Sequence, residues 1–298
     1  MESKKDKTGL VALIGRTNVG KSTLLNQLIK QKIAITSRKP QTTRQKLRGI
    51  NTKSEIQIIY LDTPGFHLGF KRALNKYMNN LAISSIHEVD IILFVIEALR
   101  FRNEDEYLLK QFKNKKNVIL VINKIDKLSN KKYLLPFIEE LSFKHRFQEI
   151  IPISATRNLN IVNLEKSISS RLPLGRHLFP KDQIADKTER FLASEIIREK
   201  CITRVGDEIP YRLAVFIDNF QEQKEIITIS AILFVEKNTQ KGIVIGNKGQ
   251  KLKSIGIAAR KDLEVLLDKK VMLKLWVKVK KNWTDDQEAM NSVGYEHG

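Results

Sequence analysis

The stretch Leu10-Val-Ala-Leu-Ile14-Gly15-Arg16-Thr17-Asn18-Val19-Gly20-Lys21-Ser22 decides the fold. Five apolar residues in a row read as a strand buried on both faces, and the pattern G-x-x-x-x-G-K-[ST] follows it directly. A helix candidate spans 21–31, so the glycine-containing turn lies between a strand and a helix N-terminus. Glycines let the backbone wrap around an anion, and the helix end adds partial positive charge. Lys21 is expected to reach the β- and γ-phosphates of a nucleotide, and the Ser22 hydroxyl to ligate Mg²⁺.

Outward from this loop, short apolar runs alternate with helix-compatible stretches up to residue 172. The runs are Leu10–Ile14, Ile56–Leu61, Ile91–Ile96, Val118–Ile122 and Ile150–Ile153. Helix candidates fill 21–31, 71–86, 103–113, 131–145 and 160–171, which predicts an α/β domain with a mostly parallel sheet flanked by helices. Two prolines and a glycine in Leu172-Pro-Leu-Gly-Arg-His-Leu-Phe-Pro180 break the rhythm. The expected boundaries are therefore 1–172 for the first domain, 173–186 for a linker and 187–298 for a smaller α+β domain. In the latter, a helix over about 187–203 starts near Asp186 or Thr188, either of which could cap it. Strands are expected at Tyr211–Asp218, Glu225–Glu236 and 271–279, with a short apolar run Ile243-Val-Ile245 and a helix near 250–267.

The 298 residues are 42% hydrophobic, enough for packed cores in two domains, and no apolar run approaches the length of a membrane span. Residues 1–7 carry charge without an apolar centre, so no secretory leader is expected. One cysteine, Cys201, excludes a disulfide framework and a multi-thiolate metal site, and the five histidines show no ligand spacing. A reducing compartment, the cytoplasm, is expected. Lys+Arg 53 against Asp+Glu 33 gives a net charge of +20. Lysine-rich coding inflates that total, but distribution is harder to dismiss. Residues 237–281 hold 13 basic and 3 acidic side chains, while 181–236 come to −3 and 282–298 to −4. A basic patch between acidic flanks points to a nucleic-acid surface. Residues 1–180, at 32 basic to 15 acidic, leave open a peripheral association with the inner face of the cell membrane.

Two further motifs sit at strand ends. Asp62-Thr63-Pro64-Gly65 closes the Ile56–Leu61 run, where the Asp62 carboxylate can hold Mg²⁺ and the Gly65 amide can contact a γ-phosphate. Asn123-Lys124-Ile125-Asp126 closes the Val118–Ile122 run. A carboxylate there accepts two hydrogen bonds from the ring N–H and exocyclic amine of guanine. Adenine has no such donor pair and would leave Asp126 desolvated and unpaired, a loss large enough to set specificity. Ser154-Ala155-Thr156 is expected to close over the base through backbone N–H groups.

These motifs, in this order, resemble the translation-factor class of GTPases, and the whole chain resembles the bacterial Era family, a GTPase domain followed by a KH-type RNA-binding domain. The likeness rests also on Ile35-Thr-Ser-Arg-Lys-Pro-Gln-Thr-Thr-Arg44 and on the second-domain sequence below. It implies that Thr43, favoured over Thr42, joins the Mg²⁺ shell, and that Lys21, Thr43, Gly65 and Asn18 serve catalysis. Many relatives place a glutamine after D-x-x-G; here Phe66 stands there and cannot polarise water. Asn18 stands where potassium-stimulated relatives coordinate K⁺. Thr17 replaces a usual proline without removing a ligand.

Gly246-Asn247-Lys248-Gly249, after Ile243 and Ile245 and before an amphipathic helix, resembles the KH signature of the type II arrangement. A glycine pair lets the chain approach a sugar-phosphate backbone, with Lys248, Lys251 and Lys253 supplying charge. Leu252, Ile255, Ala259, Leu263 and Leu266 form the expected buried helix face. Trp276 reads as core, Trp283 as core or base-stacking, and Cys201 as a packed thiol. The acidic stretch Asp285-Asp286-x-Glu288 reads as a solvated face. The resemblance implies a cytoplasmic monomeric GTPase that binds GTP/GDP and 16S rRNA near its 3′ end during 30S ribosomal subunit maturation. Nucleotide-dependent order in 35–45 and 62–75 is the expected link to RNA. An RNA-binding adaptor that uses GTP structurally, with little hydrolysis, is the alternative that Phe66 leaves room for. An ATP-using kinase on the same loop is disfavoured by Asn123 and Asp126.

Overall fold

The computed structural model describes residues 6–37, 39, 43–68, 73–112, 114–206, 209–285 and 290. Contacts divide the chain into two units; the first runs to Asp186, except that residues 35–37, 39 and 73–76, the last being the start of the second helix, group with the second unit. The elements of the first are β1 (Lys7–Ile14), α1 (Lys21–Ile29), β2 (Leu47–Lys53), β3 (Ile56–Asp62), α2 (Ala73–Ser84), β4 (Ile91–Glu97), α3 (Asn103–Gln111), β5 (Val118–Asn123), α4 (Leu134–Lys144), β6 (Glu149–Pro152) and α5 (Ile161–Arg171). They build a six-stranded sheet in the order β2-β3-β1-β4-β5-β6, parallel except for β2. Continuous apolar strands are what a sheet covered on both faces requires. Residues 11–14 of β1, 91–96 of β4 and 118–122 of β5 are all buried. The motif-bearing loops follow the C-terminal ends of β1, β3 and β5, where ligands of such sheets are bound.

One strand was not expected. β2 pairs antiparallel with β3, from Leu47↔Asp62 to Lys53↔Ile56. Its sequence, LRGINTK, dilutes the apolar signal with Arg48, Gly49, Asn51 and Thr52 because it lies at the sheet edge. Residues between 173 and 186 run against this part of the sheet. Gln57 Oε1 accepts from Leu178 N (2.7 Å) and Phe179 N (3.0 Å), and its Nε2 donates to Phe179 O (2.8 Å). Ile50 N donates to Ile184 O, and Asp186 N to Arg48 O. Asp186 therefore anchors to the edge strand, and Thr188 is the helix cap.

The second unit contains α6 (Glu189–Arg204), β7 (Ala214–Glu222), β8 (Ile226–Val235), α7 (Asn238–Ile245), α8 (Gln250–Leu267) and β9 (Lys270–Val279). β8 is central, antiparallel to β7 and parallel to β9. α8 buries Ile255, Ala259, Leu263 and Leu267 against the sheet. Their four-residue spacing keeps one face inward, at roughly 1.5–3 kcal/mol for each large side chain removed from water. Leu252 and Leu266 pack at its margin, and Cys201 is fully buried.

Three readings are sharpened or corrected here. Ile243–Ile245, read as a short apolar run, ends a helix; Gln240 Oε1 accepts from Glu236 N (2.9 Å) and Lys237 N (3.1 Å) and closes its first turn. Three apolar residues cannot by themselves separate strand from helix. Trp276 is 46% exposed. Strand alternation puts it on the face of Lys270, Met272, Lys274 and Lys278, all exposed, so the lysine spacing was the signal. Trp283 is instead fully buried, its indole N–H donating to Arg212 O at 3.1 Å, which removes it as a base-stacking residue. Asp285 is exposed, while Asp286 and Glu288 lie outside the described residues. Among the described residues no helix is long and apolar enough to cross a membrane.

Candidate functional site

The loop after β1 closes on itself. Lys21, the first residue of α1, donates from Nζ to Gly15 O and Arg16 O, both at 3.0 Å. The two carbonyls hold the ammonium at the mouth of the loop. Burial lowers its pKa to about 8, against the partial support of Asp62 and Asp105. Gly20 caps α1 at φ +100°, and a Cβ there would lie 2.4 Å from Asn123 Nδ2. Only glycine fits that position.

Three oxygens converge beside Lys21. Ser22 Oγ donates to Asp62 Oδ2 at 2.8 Å, Thr43 Oγ1 donates to the same oxygen at 3.1 Å, and the two hydroxyls are 2.8 Å apart. A carboxylate with two hydroxyls is a hard-oxygen set of the kind Mg²⁺ prefers, with its other positions left to phosphate and water. Thr42 lies outside the described residues. Thr63 does not face this cluster, since its hydroxyl donates to Leu13 O (2.8 Å).

The Asp62–Phe66 segment lies against the phosphate loop. Phe66 N donates to Gly15 O (3.2 Å) and Thr17 N donates to Phe66 O (3.3 Å). A Cβ on Gly65 would stand 2.7 Å from Thr17 Cα, so a side chain at 65 would force the two loops apart. The Phe66 ring is buried in the sheet's core and stacks on Tyr107, centroids 4.9 Å apart and nearly parallel at 8°. Its contribution to the site is thus the backbone ladder.

Asn123 joins the remaining loops. Its amide nitrogen donates to Val19 O (2.9 Å), while its oxygen accepts from Lys124 N (2.7 Å) and Ala155 N (3.0 Å). One buried side chain therefore fixes the phosphate loop, its own loop and the Ser154-Ala155 turn. Ser154 Oγ donates to Asp126 Oδ1 at 2.5 Å and accepts from Arg157 N at 3.1 Å, which orients the carboxylate expected to read a base. The Ser154-Ala155 turn thus reaches Asp126 through the Ser154 side chain and Asn123 through the Ala155 backbone.

Arg16 belongs to the loop expected to wrap the phosphates. Its side chain turns into the protein, with Nε 3.0 Å from Asp105 Oδ2 and Nη2 3.6 Å from Glu97 Oε2. Lys124 Nζ reaches the same Glu97 oxygen at 3.0 Å. Burial raises the Asp105 pKa despite Arg16. Burial also opposes ionisation of Glu97, but Lys124, Arg100 and Arg16 outweigh it and hold that carboxyl below its ordinary value. Glu97 and Asp105 belong to no motif, and only the structure reveals them.

In the second unit, Gly246 (φ +72°), Lys248 (φ +45°) and Gly249 (φ +76°) form the turn into α8, with Asn247 and Lys248 exposed. A cleft of ≈470 Å³ opens beside it, lined by Gly249, Leu252, Lys253, Gly256, Arg260 and Met272 among others. Of the residues expected to meet RNA, Gly249 and Lys253 line this cleft; Ile243, Ile245 and Lys251 do not. The cleft adds Gly256 and Arg260 from the open face of α8 and Met272 from β9.

A family model described as a 50S ribosome-binding GTPase matches residues 10–124, and a KH domain model matches residues 208–284. GTPase Era of Histophilus somni (strain 129Pt) is 50% identical over 297 residues, covering 99% of each chain. GTPase Era of Pseudomonas aeruginosa (strain LESB58) is 48% identical over 290 residues, 97% of this chain and 95% of the relative. Two solved structures superpose with a TM-score of 0.94 at 42% identity, covering 98% of this chain and all of theirs. One is an Aquifex aeolicus Era variant bound to GDP·AlF4⁻; the other is Era with MgGDPNP and nucleotides 1506–1542 of 16S ribosomal RNA.

A phosphate must meet Lys21 as the ammonium, and binding an anion raises its pKa, so the complex takes up a proton once the free lysine begins to lose its own. Affinity for GDP is expected to hold near neutrality and to fall as pH rises through about 8. Titration of a fluorescent GDP analogue at stepped pH measures this; a Kd that stays constant to about pH 9.5 contradicts it.

Proposed function

This chain belongs to the Era family of GTPases, and from that premise we propose that it hydrolyses GTP in its first unit and lets nucleotide state govern RNA binding by its second. The observation that carries the reading is the Asn123 clasp, which gathers the loops of all the phosphate- and base-recognition motifs except the D-x-x-G segment. We assign the nucleotide chemistry to 1–172 and RNA recognition to 187–298, joined through 173–186.

In this reading the N–H groups of Gly15 to Ser22 and the Lys21 ammonium receive the phosphates, the ammonium leaving Gly15 O and Arg16 O for phosphate oxygens. Ser22, Thr43 and Asp62 hold Mg²⁺, which when bound neutralises phosphate charge. The Gly65 amide meets the γ-phosphate. Asp126 accepts the two guanine donors, with Asn123, Lys124 and the Ser154-Ala155 turn around the base. Phe66 offers no proton acceptor to an attacking water, so unstimulated turnover is slow. K⁺ held by Asn18 is assigned the part of the missing positive charge, a role an arginine supplies elsewhere.

Support for coupling to RNA comes from the second unit's own membership. Residues 35–37 and 39, which lead to Thr43, group with it. Thr36 N donates to Glu199 Oε1 at 2.8 Å, and Lys39 Nζ donates to Val205 O. Residues 73–76 group there too, with Leu74 N donating to Thr284 O. Of the segments expected to respond to nucleotide, residues 38, 40–42 and 69–72 lie outside the described residues. The RNA is assigned to 16S rRNA near its 3′ end, in the 30S subunit; what supports this is the solved Era complex, which holds nucleotides 1506–1542 of 16S ribosomal RNA. A cytoplasmic monomer with peripheral contact at the inner membrane face completes the proposal.

Asp126→Asn replaces an acceptor by an amide and is expected to lower GTP affinity at least ~100-fold while gaining xanthosine triphosphate, whose ring carbonyl accepts from it. Unchanged nucleotide preference rejects the base-reading role. GTP turnover is expected to be faster in K⁺ than in Na⁺, with Asn18→Ala flattening the difference; equal rates in both salts remove the cation. Crosslinking to a 16S rRNA 3′ fragment is expected to depend on GTP against GDP and to fall with Lys248→Glu. Yields alike in both nucleotide states reject the coupling.

A further inference from the structure

We propose that Glu97 is a positioning residue that braces the phosphate loop and the base-reading loop against each other through Arg16 and Lys124. The proposal rests on the nucleotide reading above and adds to it a residue from outside every motif. Glu97 is the last residue of β4, the strand between β1 and β5, which carry the two loops. Its Oε2 receives Lys124 Nζ at 3.0 Å and faces Arg16 Nη2 at 3.6 Å, while Arg100 Nη1 occupies Oε1 at 3.2 Å. The Glu97 and Arg16 side chains are only 13% and 8% exposed, so solvent screens this triad weakly. Asp105, fully buried in the first turn of α3, holds Arg16 from the other side at 3.0 Å and also accepts from Arg102 N at 3.0 Å. Arg16 is thereby fixed between two carboxylates.

The geometry has a consequence for binding. Lys124 sits in the left-handed region at φ +67°, a strained conformation for a residue with a side chain. Its Nζ contact to Glu97 is an anchor that offsets that strain. Without the carboxylate, Arg16 and Lys124 would be like charges converging on the same space, and the loops would separate from a nucleotide that must touch both. Asn123 makes the corresponding link with neutral groups. Glu97 makes it with charge, from the opposite end of Lys124.

The test is the rate of GDP dissociation from the full chain, followed with a fluorescent analogue and an unlabelled chase. Glu97→Gln is expected to accelerate release about tenfold, and Glu97→Asp, which keeps the charge, to restore most of the difference. Because Glu97 acts through Lys124, the Glu97→Gln/Lys124→Gln double variant should release GDP no faster than the faster single variant. Multiplicative effects overturn the proposal. So does slower release from Glu97→Gln, the result if the carboxylate merely offsets positive charge near the phosphates. Should Glu97→Gln fail to fold, Glu97→Asp decides alone: its shortened reach predicts release about two- to threefold faster, and a wild-type rate overturns the inference. Wild-type protein that does not bind GDP rejects the nucleotide reading and this one with it. Binding by wild type with unchanged Glu97 variants rejects only this one.

Discussion

The site depends on one buried amide. Asn123 Nδ2 donates to Val19 O and its Oδ1 accepts from Lys124 N and Ala155 N, so three loops separated by up to 136 positions in the chain share one side chain. Each bond contributes about 1 kcal/mol net, yet removing the amide would strand buried backbone groups at about 1–3 kcal/mol apiece. Asparagine suits this place because it alone among short side chains offers a donor and an acceptor in fixed planar geometry. Aspartate has no donor for Val19 O, and leucine has neither group. Gly20 is bound by the same constraint, since the amide occupies the space a Cβ would need.

Around that neutral clasp the site is organised by charge. Lys21 donates to two backbone carbonyls, and its burial makes an arriving phosphate chain a better partner than those it has. Asp62 gathers two hydroxyls in an arrangement that suits a divalent ion. Phe66 occupies the position where a polar side chain could have directed water, and its stack on Tyr107 converts that position into an anchor. A GTPase built this way separates binding from catalysis: the loops are fixed in advance, and the charge that accelerates hydrolysis must be supplied otherwise.

Much of this was legible because the motifs sit at strand ends and strands buried on both faces are unambiguous. β1, β3, β4 and β5 announce themselves as apolar runs, and Gly15–Ser22, Asp62–Gly65 and Asn123–Asp126 follow three of them directly. β2 escaped because an edge strand needs only a few buried positions, and Arg48 and Asn51 mask them. Ile243–Ile245 was too short for its period to show, whereas α8, with five turns, revealed its buried face correctly. Glu97 and Asp105 could not have been found: a single acid at a strand end or in a helix's first turn has no spacing to distinguish it from ordinary surface charge or capping. The inward turn of Arg16 depends on those two acids and was hidden with them.

The second unit follows the same economy. Its glycine turn exposes Lys248 where a nucleic-acid backbone could approach, and α8 gives one face to the core and the other to an open cleft. The account as a whole stands on the claim that Asn123 assembles the nucleotide site, and the GDP affinity of Asn123→Ala in protein verified as folded by circular dichroism tests it most directly. The account predicts a loss of at least ~100-fold, the result of two or more buried bonds lost at once. An affinity within about twofold of wild type would contradict it.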